Sequence, residues 1–322
     1  MTTDTLTAGA VKDEAARLGA SVVGIADADV LEELAHPPSK VLHGVRSVVV
    51  MAKRFIYGGA LLQDATSRTG HYSMEIALTH LEEAALDLMF YLEEHGHPAL
   101  SLPASANRSR QEDMAAHGPM SLTHAGVAAG MGTLGLNGML LTPRFGPRVI
   151  LCAVLTLAPL EPDTPLTKAL CRGEECGRCL LACPGDAIGG WQLDVEACRP
   201  YSSPFDYPYF KQHVADIVTT DDPKEQWAKA SSGDSLMFWQ SLLRGVGIVT
   251  GCTRCADVCP VGEDYDRFLA EDLATIPEET PAKRDVLAEL QQQAATGDRG
   301  ESFAAMQPWV GRLDPPDAGA AG

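Results

Sequence analysis

The pattern of apolar positions over the first half of the chain switches between helical and strand-like periods. Apolar residues recur at three- and four-residue intervals over residues 8–19 and 73–95, which predicts two amphipathic helices. Gly19 is placed to end the first helix, while Ser73 and Gly96 are placed to cap the two ends of the second.

Short apolar runs rich in β-branched residues alternate with these helices. They are typical of buried strands and occupy residues 21–27, 46–52 and 148–157. A further short helix is predicted over residues 121–129, and the mixed, polar residues 99–117 are predicted to form a loop. Together these elements predict an α+β domain with a central sheet, which ends near residue 160.

The length and the formal charge of the chain limit its domain count and its binding partners. Its 322 residues exceed what one core usually fills, so two domains are expected. Its formal charge is −18, whereas a nucleic-acid-binding domain normally carries a basic footprint. The composition therefore disfavours a nucleic-acid partner, although a local basic patch would leave tRNA open as one.

The beginning of the chain and its cysteines indicate a compartment. The start of the sequence lacks the basic residues and apolar stretch of a secretory signal. No apolar run reaches about 18 residues, the length of a membrane span. We therefore expect a cytoplasmic protein without a membrane segment. Thiols stay reduced in the cytoplasm, so nine cysteines indicate metal ligands rather than disulfides.

Two cysteine motifs carry the most specific chemistry in the sequence. The first runs from Cys171 to Cys183 with gaps of four, two and three residues, and a proline follows it. The second runs from Cys252 to Cys259 with gaps of two and three residues, again with a proline after it. In bacterial ferredoxin runs of this kind, the cysteine before the proline ligates the other of two iron–sulfur clusters.

That crossing rule predicts two [4Fe–4S] clusters. Cluster 1 takes Cys171, Cys176, Cys179 and Cys259. Cluster 2 takes Cys183, Cys252 and Cys255, with Cys198 as the natural fourth ligand. Zinc is the alternative, because paired cysteines bind it often, but the repeated CxxCxxxCP favours iron–sulfur. Cys152 lies within an apolar strand and is expected to be a buried core thiol.

One spacing departs from the ferredoxin pattern. The gap between Cys171 and Cys176 has four residues where two are usual. We expect the extra residues, within RGEE, to bulge outward from the cluster. Cys171 is therefore the least typical ligand of cluster 1.

The sequence around these cysteines resembles a known family. CGRCLLACPGDAI, LDVEAC and GCTRCADVCP, together with residues 124–163, resemble epoxyqueuosine reductases and reductive dehalogenases. The resemblance implies a nitroreductase-related, cobalamin-binding domain followed by a ferredoxin-like double-cluster domain. We accordingly predict an α+β corrinoid- and substrate-binding domain over residues 1–163, a cluster domain over 164–265, and an acidic helical extension with a frayed tail over 266–322.

The resemblance also implies where a corrinoid would bind. The segment GMGTLGLNG and the residues after it match the family stretch that precedes the clusters, and glycines allow a backbone to approach a large flat ligand closely. A purely structural glycine turn is an alternative. A dinucleotide fingerprint is another, but the preceding strand and the following acidic residue are missing. The candidate corrinoid-binding residues are Gly130, Gly132, Gly135, Asn137, Gly138, Thr142, Arg144 and Arg148.

The proton donor is less well defined. In epoxyqueuosine reductases an aspartate precedes a proline shortly before the glycine segment, and matching that proline with Pro119 puts Ala116 at the position of the acid. His117 and Asp113 are the nearby substitutes, since an imidazole titrates close to neutral pH. Tyr72 is a third candidate catalytic residue.

The predicted function is that of a cytoplasmic reductase. Electrons from an external low-potential donor of the ferredoxin or flavodoxin type would pass through both clusters to a corrinoid, which reduces a small-molecule substrate. One alternative is an epoxyqueuosine reductase acting on tRNA, which the missing aspartate, the missing C-terminal repeats and the acidic charge weaken. The other is a non-catalytic electron-transfer protein that serves a partner enzyme.

Overall fold

The computed structural model describes residues 6–61, 68–102, 119–244 and 251–313. The strands are β1 (Val22–Asp27), β2 (Ser47–Arg54), β3 (Ala99–Leu102), β4 (Thr133–Leu134), β5 (Leu140–Leu141), β6 (Val149–Thr156), β7 (Ile188–Gly189) and β8 (Gln192–Leu193).

Helices flank the strands in the first half of the chain and dominate the second half. They are α1 (Ala8–Arg17), α2 (Tyr57–Ala60), α3 (Arg68–Glu94), α4 (Leu122–Ala128), α5 (Arg178–Leu181), α6 (Val195–Ser202), α7 (Tyr207–Val218), α8 (Pro223–Ala230), α9 (Gly233–Arg244), α10 (Arg254–Asp257), α11 (Glu263–Phe268), α12 (Pro281–Ala295) and α13 (Gly300–Val310). This mixture of helix and sheet confirms the predicted α+β class. The assignment of a nitroreductase-related and a ferredoxin-like domain stays a prediction.

The main sheet has four antiparallel strands in the order β1-β2-β6-β3. Its central strands are continuous apolar runs because both faces of the sheet are covered. On one face, Val49 and Met51 belong to a buried cluster with Leu88 of α3. On the other face, Val48 belongs to a buried cluster with Leu122 of α4. The sheet is thus the middle layer of the first half of the chain.

Most of the predicted elements of this half are confirmed, and two details are corrected. The long helix begins at Arg68, so Ser73 is not its N-cap; the Ser73 hydroxyl instead donates to the carbonyl of Thr69 at 3.0 Å. Gly96 ends that helix with a φ of +85°, as predicted. Residues predicted as a loop form β3, which pairs with β6 at the edge of the sheet.

The cysteine-rich half is assembled from short elements. The helices α5 and α10, which carry cysteines of the two motifs, have four residues each, and β7 and β8 have two. Between Cys198 and Cys252 the chain makes a long helical excursion that includes α7, α8 and α9. Its two ends meet, because the amide of Cys252 donates to the carbonyl of Tyr201 at 3.0 Å.

The C-terminal helices return to both halves of the molecule. The predicted helix in this region is confirmed as α12, and α13 follows it. The indole of Trp309 in α13 packs edge-on against His124 of α4, with ring centroids 4.7 Å apart. Leu287 of α12 belongs to the buried cluster around the cysteines. Within the described ranges, no helix combines the length and the apolar character needed to cross a membrane.

Candidate metal centre

Four thiols of the cysteine motifs converge on one cavity. Cys171, Cys176, Cys179 and Cys259 all line a space of about 400 Å³ that is partly open to solvent. Burial raises the pKa of Cys259 to about 12, and the nearby thiols of Cys171 and Cys176 add to the effect. These four residues are the predicted ligands of cluster 1, drawn from both motifs.

The remaining four motif thiols form a second group. Burial raises the pKa of Cys252 to about 11, with further contributions from Cys198 and Cys183. Burial also raises the pKa of Cys255, and the neighbouring thiols of Cys252, Cys198 and Cys183 add to the effect. The structure therefore brings together the predicted ligands of cluster 2. The two groups are adjacent, since Cys255 also raises the pKa of Cys179 of the first group, where burial is the main cause.

The raised pKa values have a chemical consequence. Buried, closely spaced thiols resist ionisation because a thiolate there would lose hydration and repel its neighbours. Thiolates are nevertheless the form that binds metal. A cationic group between the sulfurs removes this conflict, and its binding must release protons. The two groups thus fit a metal-bound state better than a free-thiol state.

Backbone amides already point at several of the sulfurs. The amides of Leu136 and Gly173 donate to the sulfur of Cys171 at 3.5 and 3.3 Å, and the amide of Ala187 donates to Cys183 at 3.2 Å. Hydrogen bonds to the ligand sulfurs are one of the means by which proteins tune iron–sulfur clusters.

The ninth cysteine lies apart from both groups. Cys152 is in β6, fully buried in the cluster of apolar residues between the sheet and α3. Burial raises the pKa of its thiol, and its sulfur lies 3.9 Å from the carbonyl of Leu81. The prediction of a core thiol is confirmed.

Leu136 and Asn137 of the glycine segment line the cavity of the first thiol group. A Cβ on Gly132 would lie 1.9 Å from the carbonyl oxygen of Leu141, and a Cβ on Gly135 would lie 2.3 Å from its side chain. Asn137 donates its side-chain amide to the carbonyl of Cys255 at 3.4 Å. Gly132 and Gly135 therefore allow the segment to pack closely against other residues of the protein. This is the role that a purely structural glycine turn would have.

Two of the predicted corrinoid-binding residues have their polar groups hydrogen-bonded within the protein. Arg148 is 1% exposed, and its N–H groups donate to both carboxylate oxygens of Asp264 and to the carbonyls of Ala256, Cys259 and Val261 at 2.6–3.0 Å. The hydroxyl of Thr142 is fully buried and closes the turn to Gly146. The polar groups of Arg148 and Thr142 thus have partners within the protein, and their corrinoid contacts stay predictions.

The other predicted residues lie in different settings. Gly138 and Arg144 are exposed, and the Arg144 guanidinium lies 5.0 Å from the ring centre of Phe145. Gly130 has a φ of +66°, and it stays, like Gly138, a predicted corrinoid contact. Tyr72 is in the first turns of α3 and is 39% exposed. His117 and Asp113 lie outside the described residues.

Sequence reasoning missed three buried acids beside the cysteines, which are Glu174, Asp257 and Asp264. Asp264 neutralises Arg148. Glu174 lies in the irregular gap of the first motif and is 4% exposed. The only signal for Glu174 was the unusual spacing itself; for Asp264 there was none.

Comparisons with known proteins extend the resemblance. The chain is 27% identical over 170 residues to the epoxyqueuosine reductase of Listeria monocytogenes, covering 52% of this chain and 37% of that protein. It is 37% identical over 86 residues to a tetrachloroethene reductive dehalogenase of Desulfitobacterium hafniense, covering 24% and 15%. The chain therefore spans about a third, or less, of the length of these relatives.

A solved structure of a variant of a catabolic reductive dehalogenase has a similar fold. Its TM-score is 0.50 at 16% identity, with 94% of this chain and 38% of that chain covered. No protein-family model matches the sequence. The sequence similarities confirm the resemblance predicted from the cysteine motifs: the chain is a relative of the epoxyqueuosine reductases and reductive dehalogenases.

Proposed function

We propose that this chain is an iron–sulfur reductase in which two [4Fe–4S] clusters deliver electrons to a corrinoid. The observation that carries the proposal is the crossed grouping of eight thiols into two adjacent sets. Cys259 of the second motif joins the first set, and Cys183 of the first motif joins the second. This exchange is the arrangement of two-cluster ferredoxins.

The sequence pattern of the thiols favours clusters over zinc. Paired cysteines bind zinc often, but CxxCxxxCP with the proline at the same offset occurs twice in this chain, as in two-cluster ferredoxins. Cluster 1 would be held by Cys171, Cys176, Cys179 and Cys259, and cluster 2 by Cys183, Cys198, Cys252 and Cys255.

The chain's own residues would position the two clusters and contact the corrinoid. Cys179 of the first set and Cys255 of the second set are neighbours, so cubanes held by the two sets would lie side by side. A bound corrinoid would supply the cobalt at which the substrate is reduced. Gly138 and Arg144 are the candidate corrinoid contacts that the protein leaves exposed. His117, Asp113 and Tyr72 stay candidates for the proton donor.

Epoxyqueuosine in tRNA is the first substrate to test. The matches to epoxyqueuosine reductases extend over 170 residues, against 86 for the dehalogenase. A small-molecule substrate is the second candidate, because a formal charge of −18 opposes the binding of a polyanion. The electron donor would be a low-potential protein of the ferredoxin or flavodoxin type.

Metal analysis tests the cofactors. Protein produced anaerobically with cobalamin is expected to contain about eight irons, four for each cubane, together with cobalt. Cys259→Ser should retain about four irons, because it removes one ligand of cluster 1 only. The control Cys152→Ala should keep about eight. Colourless protein, or zinc in place of iron, would refute the proposal.

Substrate assays separate the candidate functions. Complementation of a strain that lacks epoxyqueuosine reductase, with queuosine measured in its tRNA, is the expected outcome if tRNA is the substrate. If this fails although iron and cobalt are present, the small-molecule candidate gains. Uptake of iron without cobalamin would instead favour a non-catalytic electron-transfer protein.

A further inference from the structure

The irregular gap in the first cysteine motif contains a buried acid. Residues Gly173–Glu175 form one 3₁₀ turn between Cys171 and Cys176. Glu174 is 4% exposed, whereas the next residue, Glu175, is exposed. The extra residues therefore do not simply bulge into solvent, as the sequence suggested: one of the two acids turns inward.

The partners of Glu174 come largely from the C-terminal helical region. The indole N–H of Trp191 donates to Oε1 at 2.6 Å, and Nε of Arg299 donates to Oε2 at 3.2 Å. Gln291 of α12 donates to the backbone carbonyl of Glu174 at 2.9 Å. A buried carboxylate is retained only where donors and a counter-charge offset its lost hydration. Trp191 and Arg299 provide both.

Apolar contacts join the same elements. A Cβ on Gly177 would lie 2.3 Å from Leu287 of α12, so the loop and the helix are in close contact there. Phe303 of α13 lies against both Trp191 and the guanidinium of Arg299, at 5.3 and 5.2 Å. The loop between Cys171 and Cys176 and the C-terminal helices therefore form one packed unit.

The carboxylate is also close to the thiols. The amide of Gly173, the residue before Glu174, donates to the sulfur of Cys171 at 3.3 Å, and Cys176 follows two residues after Glu174. A negative charge at this position opposes the addition of an electron to anything that Cys171 ligates. The charge of Arg299, at 3.2 Å from Glu174, acts in the opposite direction.

We propose that Glu174 and Arg299 are a pair of positioning residues, through which the C-terminal helices hold the Cys171–Cys176 loop and set the reduction potential of cluster 1. The inference rests on the cluster ligands proposed above. It assigns the C-terminal helices a share in the cluster site, although they contain no cysteine.

The test is a redox titration of both clusters, followed by electron paramagnetic resonance. Glu174→Gln keeps an oxygen that accepts from Trp191 but removes the charge, so the midpoint potential of one cluster should become more positive. Arg299→Gln leaves Glu174 uncompensated, so the potential of the same cluster should become more negative. The other cluster should keep its wild-type potential in both variants. Glu175→Gln, which changes an exposed acid one position away, should leave both potentials unchanged.

The opposite signs separate this role from a purely structural one. A loop that is merely loosened would shift the potential in the same direction in both variants, which would overturn the inference. Two unshifted potentials in Glu174→Gln and Arg299→Gln would overturn it as well. Selective loss of about four of eight irons from folded Glu174→Gln, but not from Glu175→Gln, would support the holding role. Wild-type protein is measured first: if it holds no clusters, the proposed function itself fails.

Discussion

The sheet region, from α1 to β6, and the cysteine-rich region, from α5 to α11, differ in which side chains fill their interiors. In the sheet region, β2 is buried over six consecutive residues and packs between helices on both faces. In the cysteine-rich region, the buried cluster includes Cys183, and four further cysteines pack against it. One interior consists of apolar side chains together with the thiol of Cys152, while the other combines apolar side chains with five cysteines of the motif region.

The difference indicates two sources of stability. Burial of apolar surface stabilises the sheet region, at about 25 cal/mol for each Å². Helices of four residues, such as α5 and α10, are too short to be stable alone. Metal binding contributes folding free energy directly where it joins segments of this kind. We therefore expect the sheet region to depend on its apolar contacts and the cysteine-rich region to depend on its metal.

Removal of iron should produce the largest contrast. Anaerobic chelation is expected to abolish hydrogen-exchange protection in α5 and α10, because their cysteines lose the group that joins them. Amides of β2 and β6 should stay protected. Mass spectrometry of exchanged peptides measures both regions in one sample. Simultaneous loss of protection in both would show that they form one cooperative unit, contrary to the comparison.

Arg148→Met should weaken the junction of the two regions. The arginine immediately precedes β6 and ties this strand to the carbonyls of Ala256 and Cys259 in the second cysteine motif. Its loss leaves Asp264 buried without a counter-charge, which typically costs about 3–5 kcal/mol. Denaturant unfolding measures the cost.

Two further variants check that interpretation. The double variant Arg148→Met/Asp264→Asn should lose less than the sum of its single changes, because it buries no unpaired charge. Arg144→Met is the matched control: this arginine is exposed, and its contact with Phe145 contributes no more than about 1 kcal/mol. Equal losses in Arg144→Met and Arg148→Met would contradict the proposed role of the buried pair.

Leu88→Ala should affect the sheet region alone. Leu88 is fully buried between α3 and the sheet, so its truncation should cost about 2–5 kcal/mol. The iron content should stay at about eight for each chain. Leu86→Ala changes an exposed residue of the same helix and should cost less than about 0.5 kcal/mol. Loss of iron from Leu88→Ala would show that the two regions are not independent.

Thr7→Ala should have the smallest effect. The Thr7 side chain accepts a hydrogen bond from the amide of Ala10 at the start of α1, at 3.2 Å. Its loss should cost about 1 kcal/mol, without any change in iron content. Thr7→Ser keeps the accepting oxygen and should restore most of the stability in the same denaturation experiment. An unchanged midpoint in Thr7→Ala would remove the cap as a source of stability.

The sequence predicts the elements whose pattern is local. The strands β1, β2 and β6 and the helix α1 follow from periodicity, since their residues carry the signal within a short window. The four residues of β3 do not, because they become a strand only by pairing with β6 across more than fifty residues of chain. The start of α3 was missed for a related reason: Ser73 resembles a cap but bonds back to Thr69 within the helix.

The same distinction holds for the candidate site. The grouping of the cysteines could be predicted, because ligand spacing and the proline that follows are specific chemistry. The role of Arg148 could not, because its partner Asp264 lies 116 positions further along the chain. An arginine in a glycine- and proline-rich segment resembles a ligand contact until its buried partner is known.

The hydrogen bond between the amide of Cys252 and the carbonyl of Tyr201 has a consequence for how the length of this chain can vary. The helical excursion from α7 to α9 leaves and re-enters beside this hydrogen bond, which Tyr201 of α6 and Cys252 make without any residue of the excursion. Doubling the length of such a loop adds only about 0.6 kcal/mol to the cost of closing it. We therefore expect changes in the length of the excursion to cost little, which makes it the natural place in this chain for insertions or a graft.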